Sequence, residues 1–440
     1  MLSDLNSVSA RGKYALLPLG LFLLLFLGAG FYYQAQGVEF AFYQLPAPVA
    51  ILPAVLLAVW LSKASLNRTI AQFTDGAGHQ DIMTMCMIFL LAGGFSAVAK
   101  ATGGVDATVA LGVNLIPAQF LLPGLFLLGA FVSTAMGTSM GTLAAMAPIG
   151  MGMSEVTGIE PALMAGVLMS GAIFGDNLSI ISDTTIAATR TQGCQMRDKF
   201  VENLKMALPA ALVTLILFAW VSPQPEPVTV DEGNPWLAIP YLLILVLAVS
   251  GVNVFVVLVL GIICSALMGL WQADYALNQL GKDIYAGFTS MQEIFILSIL
   301  IGGLSGLMRS QGGLDYLVAK LHALSQKLSR HAHASHSFAI AALIVISNLC
   351  IANNSVSIIV VGEAARKLAE HGEIAPRRSA SLLDIFACIV QGLIPYGAQA
   401  LLLGASFAIS PVEIIPYVFY CYLLAVVACG YIIWNLAVKR

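Results

Sequence analysis

Ser170-Gly171-Ala172-Ile173-Phe174-Gly175-Asp176-Asn177-Leu178-Ser179-Ile180-Ile181-Ser182-Asp183-Thr184-Thr185 sits in the middle of an otherwise apolar span that runs from 160 to 190. A span of that length exceeds the roughly 20 residues a helix needs to cross the hydrocarbon core. A carboxylate near the bilayer centre costs at least about 2.5–3.5 kcal/mol, so two of them in one span require a purpose. Gly171 and Gly175 weaken a helix, and Asp176, Asn177 and Ser179 compete for its backbone hydrogen bonds. The stretch therefore predicts two half-helices around an unwound joint. Carbonyls and a half-helix end at such a joint face a cavity and can hold a cation.

The rest of the chain agrees with a membrane setting. Of 440 residues, 10% are charged and 59% are apolar, against roughly 25% and 45–50% in soluble proteins. Apolar runs such as Tyr14 to Tyr32, Met206 to Val221 and Gly251 to Leu270 are helix-length, and none shows the short alternating pattern of a β-barrel. The composition implies an all-α polytopic membrane protein whose first partner is the lipid bilayer. A net charge of −3 gives no electrostatic case for a nucleic-acid partner. The seven cysteines are scattered, with no zinc or CxxC spacing, and read as small buried side chains. No cofactor is expected. The apolar run after Arg11 and Lys13 is long for a signal peptide and reads as the first membrane helix.

Basic residues concentrate in cytoplasmic segments. With both termini cytoplasmic, the inside segments are 1–13, 63–80, 190–205, 309–335, 366–378 and 437–440, and they hold 18 of the 20 Lys and Arg residues. The Pro-rich stretch Ser222 to Pro235 has acids but no basic residue and falls outside. This orientation predicts a multi-pass protein of the cell membrane, the inner membrane in a bacterium. Within it, Gly93-Gly94-Phe95-Ser96, Lys100, Gly103-Gly104 and Asp106 recur 209 residues later as Gly302-Gly303-Leu304-Ser305, Arg309, Gly312-Gly313 and Asp315. Lys100 lies outside and Arg309 inside, so the copies cross the membrane in opposite directions. The expectation is two inverted-topology repeats, 1–225 and 236–440, with interrupted helices, an architecture of secondary transporters. Each repeat also holds a helical pair, 109–133 with 138–155 and 336–352 with 354–366. Each pair is either two full spans or a re-entrant hairpin, both of which preserve sidedness; their tips, Ser133 to Ser139 and Asn353-Asn354-Ser355, are polar, which favours hairpins lined by protein or water.

Sodium is a hard ion that wants oxygen ligands. Asp176, Asn177, Ser179, Asp183, Thr184 and Thr185 offer them, with Thr138 and Ser139 at the first hairpin tip. Sodium is expected at Asp176 and Asp183. Desolvated carboxyls titrate near neutral pH, so a proton competes with sodium for one site; Asp176, Asp183 and the mid-span Asp384 are the proton-carrier candidates. In the second half, Pro395 with Gly392 and Gly397 breaks a helix beside the neutral groups Gln391, Tyr396 and Gln399, and an offset of 215 sets Gln391 opposite Asp176. Asn353, Asn354, Ser355, Gln391, Tyr396 and Gln399 form a second-half site for a polar solute or for completing an ion shell. Glu363 reads as solvated near a cytoplasmic end. His331, His333 and His336 read as a solvated loop.

Gly137-Thr138-Ser139-Met140-Gly141-Thr142, Pro148, Ser170-Gly171-Ala172, Gly175-Asp176 and Ser182-Asp183-Thr184-Thr185 together resemble the NhaC family of sodium/proton antiporters, within the ion transporter superfamily. Ile394-Pro395-Tyr396-Gly397-Ala398-Gln399 has the same flavour, and the resemblance spans roughly 80 to 430. It implies inverted repeats, re-entrant hairpins and, in many members, a homodimer. Many members carry Trp where this chain has Met140, and an acid near the second hairpin tip where it has Asn353-Asn354. Some move organic acids or amino acids with coupled ions. The leading reading is sodium/proton exchange through a midplane carboxylate site. The alternative is a sodium- or proton-coupled carrier of an amino acid or carboxylic acid. An intramembrane enzyme is not expected, because no His/Asp cluster or paired base for a serine nucleophile is present.

Overall fold

The computed structural model describes residues 12–38, 41–115, 117–222, 234–272, 275–313, 316, 320 and 332–438. Every regular element among them is helical. The first half contains α1 (Leu17–Ala35), α2 (Leu52–Leu61), α3 (Leu66–Ala77), α4 (Gln80–Ala101), α5 (Gly104–Leu115), α6 (Leu121–Met136), α7 (Ser139–Thr157), α8 (Pro161–Leu178), α9 (Asp183–Gln192) and α10 (Met196–Val221). The second contains α11 (Ile239–Val249), α12 (Val254–Gln272), α13 (Leu277–Ser290), α14 (Gln292–Ser310), α15 (Ala332–Ile351), α16 (Asn354–His371), α17 (Pro376–Leu393), α18 (Ala398–Phe407) and α19 (Phe419–Val438). A helical turn, Pro411–Ile414, leads into α19.

The chain is a polytopic helical membrane protein. Among the described residues, seven helical stretches are long and apolar enough to cross a bilayer, and an eighth qualifies if the pair Pro411–Tyr417 and Phe419–Trp434, bent by 53°, is one span. All five tryptophans are exposed and stand near helix ends (Trp60, Trp220, Trp236, Trp271 and Trp434), as an aromatic belt at the headgroups requires. The spans that hold the site are the inner ones. Pro161–Gln192 and Pro376–Phe407 are the most buried of the seven, and the lipid-facing α1, α10 and α12 surround them with exposed Leu, Val and Ile.

Both inner spans are broken. The first break, Ser179 to Ser182, comes a few residues later than the glycines suggested. Gly171 and Gly175 remain helical, and their role is close packing: a side chain there would strike the carbonyls of Phe126 and Ala130 on α6. The turn occurs where Ser182 caps α9, its hydroxyl accepting from the Thr185 N–H. The second break, Ile394 to Gly397, falls on Pro395 as expected.

The two halves repeat each other in detail. α8 and α17 are both 18 residues and begin 215 apart, as do the 10-residue α9 and α18. The hairpin helices α7 and α16 also begin 215 apart. The clearest mark is in the backbone. Gly137, Gly158 and Gly193 are left-handed, and the three non-glycine left-handed residues among those described, Ala352, Glu373 and Ala408, lie 215 residues after them. Gly103 and Gly312 repeat likewise at 209. The chain must turn left-handed after these helices to satisfy their last carbonyls, and the second copy makes the same turns with residues that have a Cβ.

Packing is reciprocal. α9 lies on α16 as α18 lies on α7, and α3 lies on α14 as α13 lies on α4. At the last pair of contacts the Gly76 backbone touches Gly302 and Gly306, and Gly287 touches Gly93 and Gly94. In each case the partners are exchanged between the two halves. The repeated motif of the sequence thus corresponds to a packing device, although Asp315 lies outside the described residues.

A non-glycine residue held left-handed costs about 1–2 kcal/mol. Ala408→Gly and Glu373→Gly are each expected to raise stability by about 1 kcal/mol, read as a higher melting temperature of the detergent-purified protein. Gly93→Leu, which drives a side chain into the Gly287 backbone, is expected to lower it by about 1–3 kcal/mol.

Candidate functional site

Where the two breaks and the two hairpin tips meet, the bundle encloses a cavity of 720 Å³. Repeat-related residues line it in pairs: Thr138 and Ser139 with Asn353 and Asn354, Asp176 with Gln391, and Thr184 with Gln399. The hairpin tips reach it because each helix after the tip starts with a capping side chain. Thr138 accepts from the Gly141 N–H, and Asn353 from the Val356 N–H. One face of α9 (Asp183, Thr184, Ile186, Ala187, Arg190 and Thr191) forms a long wall. The recurrence at three, four, seven and eight positions is that of a single helical stripe.

A buried hydrogen-bond chain crosses from one half to the other. Ser139 Oγ donates to Asp176 Oδ2 at 2.9 Å, and Gln399 Nε2 donates to Ser139 Oγ at 3.2 Å. Gln391 Nε2 donates to Gln399 Oε1 at 2.7 Å and to the Ala352 carbonyl at 3.4 Å. Two acceptors around Nε2 fix the amide's orientation, and Gln391 Oε1 is left buried without a partner among the described residues. A buried acceptor of that kind needs a donor or a cation. Asp183 stands past the break, exposed to the same cavity, with no hydrogen bond or ion pair among the described residues.

Several expected ligands turn elsewhere. Asn177 Nδ2 donates to Tyr420 Oη at 3.1 Å, and Ser179 Oγ donates to the Thr134 carbonyl at 2.9 Å. Thr185 Oγ1 donates to the Ser179 carbonyl at 2.7 Å, and Tyr396 Oη to the Leu349 carbonyl at 2.6 Å. None of the four lines the cavity; they hold the breaks and the second hairpin in shape. Ser355 does line it, and its amide N–H donates to Asn354 Oδ1. Glu363 is exposed and paired with Lys367 at 2.7 Å. His336 is buried in α15 rather than solvated, and His331 lies outside the described residues.

Asp384 is not free. Its Oδ2 lies 2.7 Å from Lys199 Nζ, and both side chains are almost wholly buried, 0% and 1% exposed. Lys199 also donates to Thr185 Oγ1 at 2.6 Å and to the Asn177 carbonyl at 3.4 Å. Asn203 Nδ2 donates to Asp384 Oδ2 at 2.7 Å and to the Asn177 carbonyl at 2.8 Å, while its own oxygen accepts from Ser381 Oγ at 2.6 Å. Lys199 therefore fastens the backbone before the first break to the side chain after it, and both to α17. By its basic residues alone, 190–205 falls in a cytoplasmic segment. In fact α10 begins at Met196, and Lys199, Asn203, Met206, Ala210 and Thr214 form one buried stripe. That stripe was the missed signal, since helical spacing carries the apolar face of α10 back to Lys199. Arg378 is buried as well, over the Tyr431 ring at 5.2 Å. Arg190, also counted only as a loop charge, lines the cavity and has no ion-pair partner among the described residues.

A polytopic bundle with two broken inner helices, two capped hairpins and a polar cavity between repeated halves has the features of a secondary transporter. The family comparison is specific: the chain belongs to the Na+/H+ antiporter family, whose model matches residues 12–222 and 234–436. It is 23% identical to the Na(+)/H(+) antiporter NhaC of Alkalihalophilus pseudofirmus over 93% of each chain. It is 24% identical to the Na(+)/H(+) antiporter NhaC of Bacillus subtilis, covering 84% of this chain and 89% of that one. The Malate-2H(+)/Na(+)-lactate antiporter of Bacillus subtilis is 21% identical over 88% of each. The family and these relatives are antiporters, not enzymes.

Removing one partner from a buried ion pair costs about 3–5 kcal/mol, whereas replacing both by apolar groups is often neutral. Lys199→Met is expected to lose most of its folded yield. Lys199→Ile combined with Asp384→Met, which copies the repeat-related Ile414 and Met169, is expected to recover it. Size-exclusion profiles and melting temperatures in detergent check both.

Proposed function

We propose that the chain exchanges sodium for protons across the cell membrane, with Asp176 as the carboxylate that the two ions share. The observation that carries this is the chain from Asp176 through Ser139 and Gln399 to Gln391, which ends in an unpartnered buried acceptor beside the same cavity. A sodium ion held by oxygens of Asp176, Ser139 and Gln391 would use atoms of both halves. Protonation of Asp176 removes the only charge among those three groups, so proton entry expels sodium. Asp183, at the N-terminal end of α9 and open to the cavity, draws cations toward the site. Competition for one carboxylate is sufficient for exchange in either direction. It also explains why Ser139 takes its hydrogen bonds from one half and gives them to the other.

The reciprocal packing and the repeated left-handed turns support two inverted repeats, 1–225 and 236–440. The 16 residues of α6 span about 24 Å by helix rise, short of the roughly 30 Å core, which supports a re-entrant first hairpin. The distribution of basic residues supports cytoplasmic termini. On that orientation the cavity, which follows α9 to Arg190 and Thr191, opens to the cytoplasm, and the conformer is inward-facing.

A second reading rests on size and on Arg190. A cavity of 720 Å³ is far larger than a bare ion requires, and an unpaired guanidinium on its wall suits a carboxylate. The malate/lactate antiporter among the relatives supports an organic acid as a further passenger.

Everted vesicles carrying the protein are expected to show sodium-induced recovery of a proton gradient. Asp176→Asn is expected to abolish that response, and Gln391→Ala to raise the sodium concentration for half-response about tenfold. The same preparations tested with labelled carboxylic acids decide the second reading, in which Arg190→Gln is expected to remove solute uptake first.

A further inference from the structure

The central cavity has a repeat-related counterpart that is smaller and less polar. It is a cleft of 360 Å³ lined by Phe26, Ser290, Glu293, Leu401, Ala405 and Ser410 among others. The correspondence is residue by residue. Thr84 and Ile88 on α4 line the cavity, and Glu293 and Leu297 on α14, 209 residues on, line the cleft. Ile186 and Arg190 on α9 line the cavity, and Leu401 and Ala405, 215 residues on, line the cleft. So the groove between α4 and α9 is wide and reaches Asp176, while the matching groove between α14 and α18 is narrow and does not reach Gln391.

We propose that the cleft at Glu293 is the second mouth of the transport path, closed in this conformer, and that Glu293 is the carboxylate that receives a monovalent cation there. Two matched halves in two different states can exchange those states. When they do, α18 moves from α14 as α9 now stands from α4, the cleft widens and joins the site at Gln391, and the groove along α9 narrows. α18 follows a break as α9 does, and Pro395 and Gly397 supply the hinge. The faces that would part there are small: Gly404, Ala405 and Ala408. The asymmetry in charge has a consequence. Arg190 lines one mouth together with Asp81 and Asp183, whereas at the other Ala405 stands at the position related to Arg190 and Glu293 is the one ionisable side chain among the lining residues, so a cation meets a lone carboxylate there. This inference rests on the exchange reading above and adds the route by which it happens.

Single cysteines at Ala405 and at Ile359, which lines the central cavity, are labelled with a membrane-impermeant maleimide in right-side-out and everted vesicles. The parent protein provides the background from its own cysteines. The expected result is that Ala405→Cys reacts only from the outside and Ile359→Cys only from the inside. Saturating outside sodium at fixed pH is expected to change the two rates in opposite directions, each at least threefold. Glu293→Gln is expected to raise the half-saturating sodium concentration at least fivefold from the outside and less than twofold from the inside. Rates that move together, or an Ala405→Cys that reacts from the inside, would overturn the proposal even if sodium/proton exchange is intact. An equal effect of Glu293→Gln from both sides would overturn the role of Glu293. Absence of any sodium-dependent proton flux in the parent would instead count against the exchange reading itself.

Discussion

Backbone that leaves the helical path inside a membrane bundle has no water to bond with, and at the first break this chain meets that constraint with a buried ammonium. Lys199 holds the Asn177 carbonyl, the Thr185 hydroxyl and the Asp384 carboxylate together. An unpaired charge at that depth is prohibitive, so Asp384 follows from Lys199, and Asn203 follows from the lone pairs that remain. The consequence extends to the cavity. With the carbonyl end of α8 tied back, its side chain one residue earlier, Asp176, is left facing the hairpin tip, where Ser139 meets it.

The second half solves the same problem without charge. Pro395 removes a donor from the backbone at the break, and Gln391 and Tyr396 send their donors to the carbonyls of Ala352 and Leu349 at the end of α15. Positions related to Lys199 and Asp384 are Ile414 and Met169. One geometry is therefore built twice, once with ions and once with amides and apolar contacts. At the cavity the first half presents the carboxylate of Asp176 where the second presents the amide of Gln391.

Much of the site was legible before any coordinates. The acid-bearing span, the proline break, both polar tips and the 215-residue correspondence between Asp176 and Gln391 are patterns of composition and spacing, and of the expected site residues all but Asn177, Ser179, Thr185, Asp384 and Tyr396 reach one cavity. The failures have a common origin. Asn177, Ser179 and Thr185 are the right chemistry in the right stretch, yet successive residues at a break point in different directions, and no one-dimensional rule says which. Lys199 and Arg190 were read as loop charges because basic residues depress hydropathy wherever they stand. Only the helical phase of α10 and α9 turns one into the bundle and the other toward the cavity.

By itself the sequence determined what had to be true in a solvent of lipid: helices long enough to span, few charges, polar residues gathered at breaks, and a motif repeated at a fixed distance. Those are consequences of solvation and chain chemistry, and they act residue by residue. The tertiary structure decided which polar groups meet. Gln399 reaches Ser139 over 260 positions of sequence, and Lys199 reaches Asp384 over 185, because reciprocal packing of the halves brings each break against the hairpin of the other. It also decided which of two matched grooves is open. Two copies of one pattern can stand in different states, and the pattern alone is the same in both.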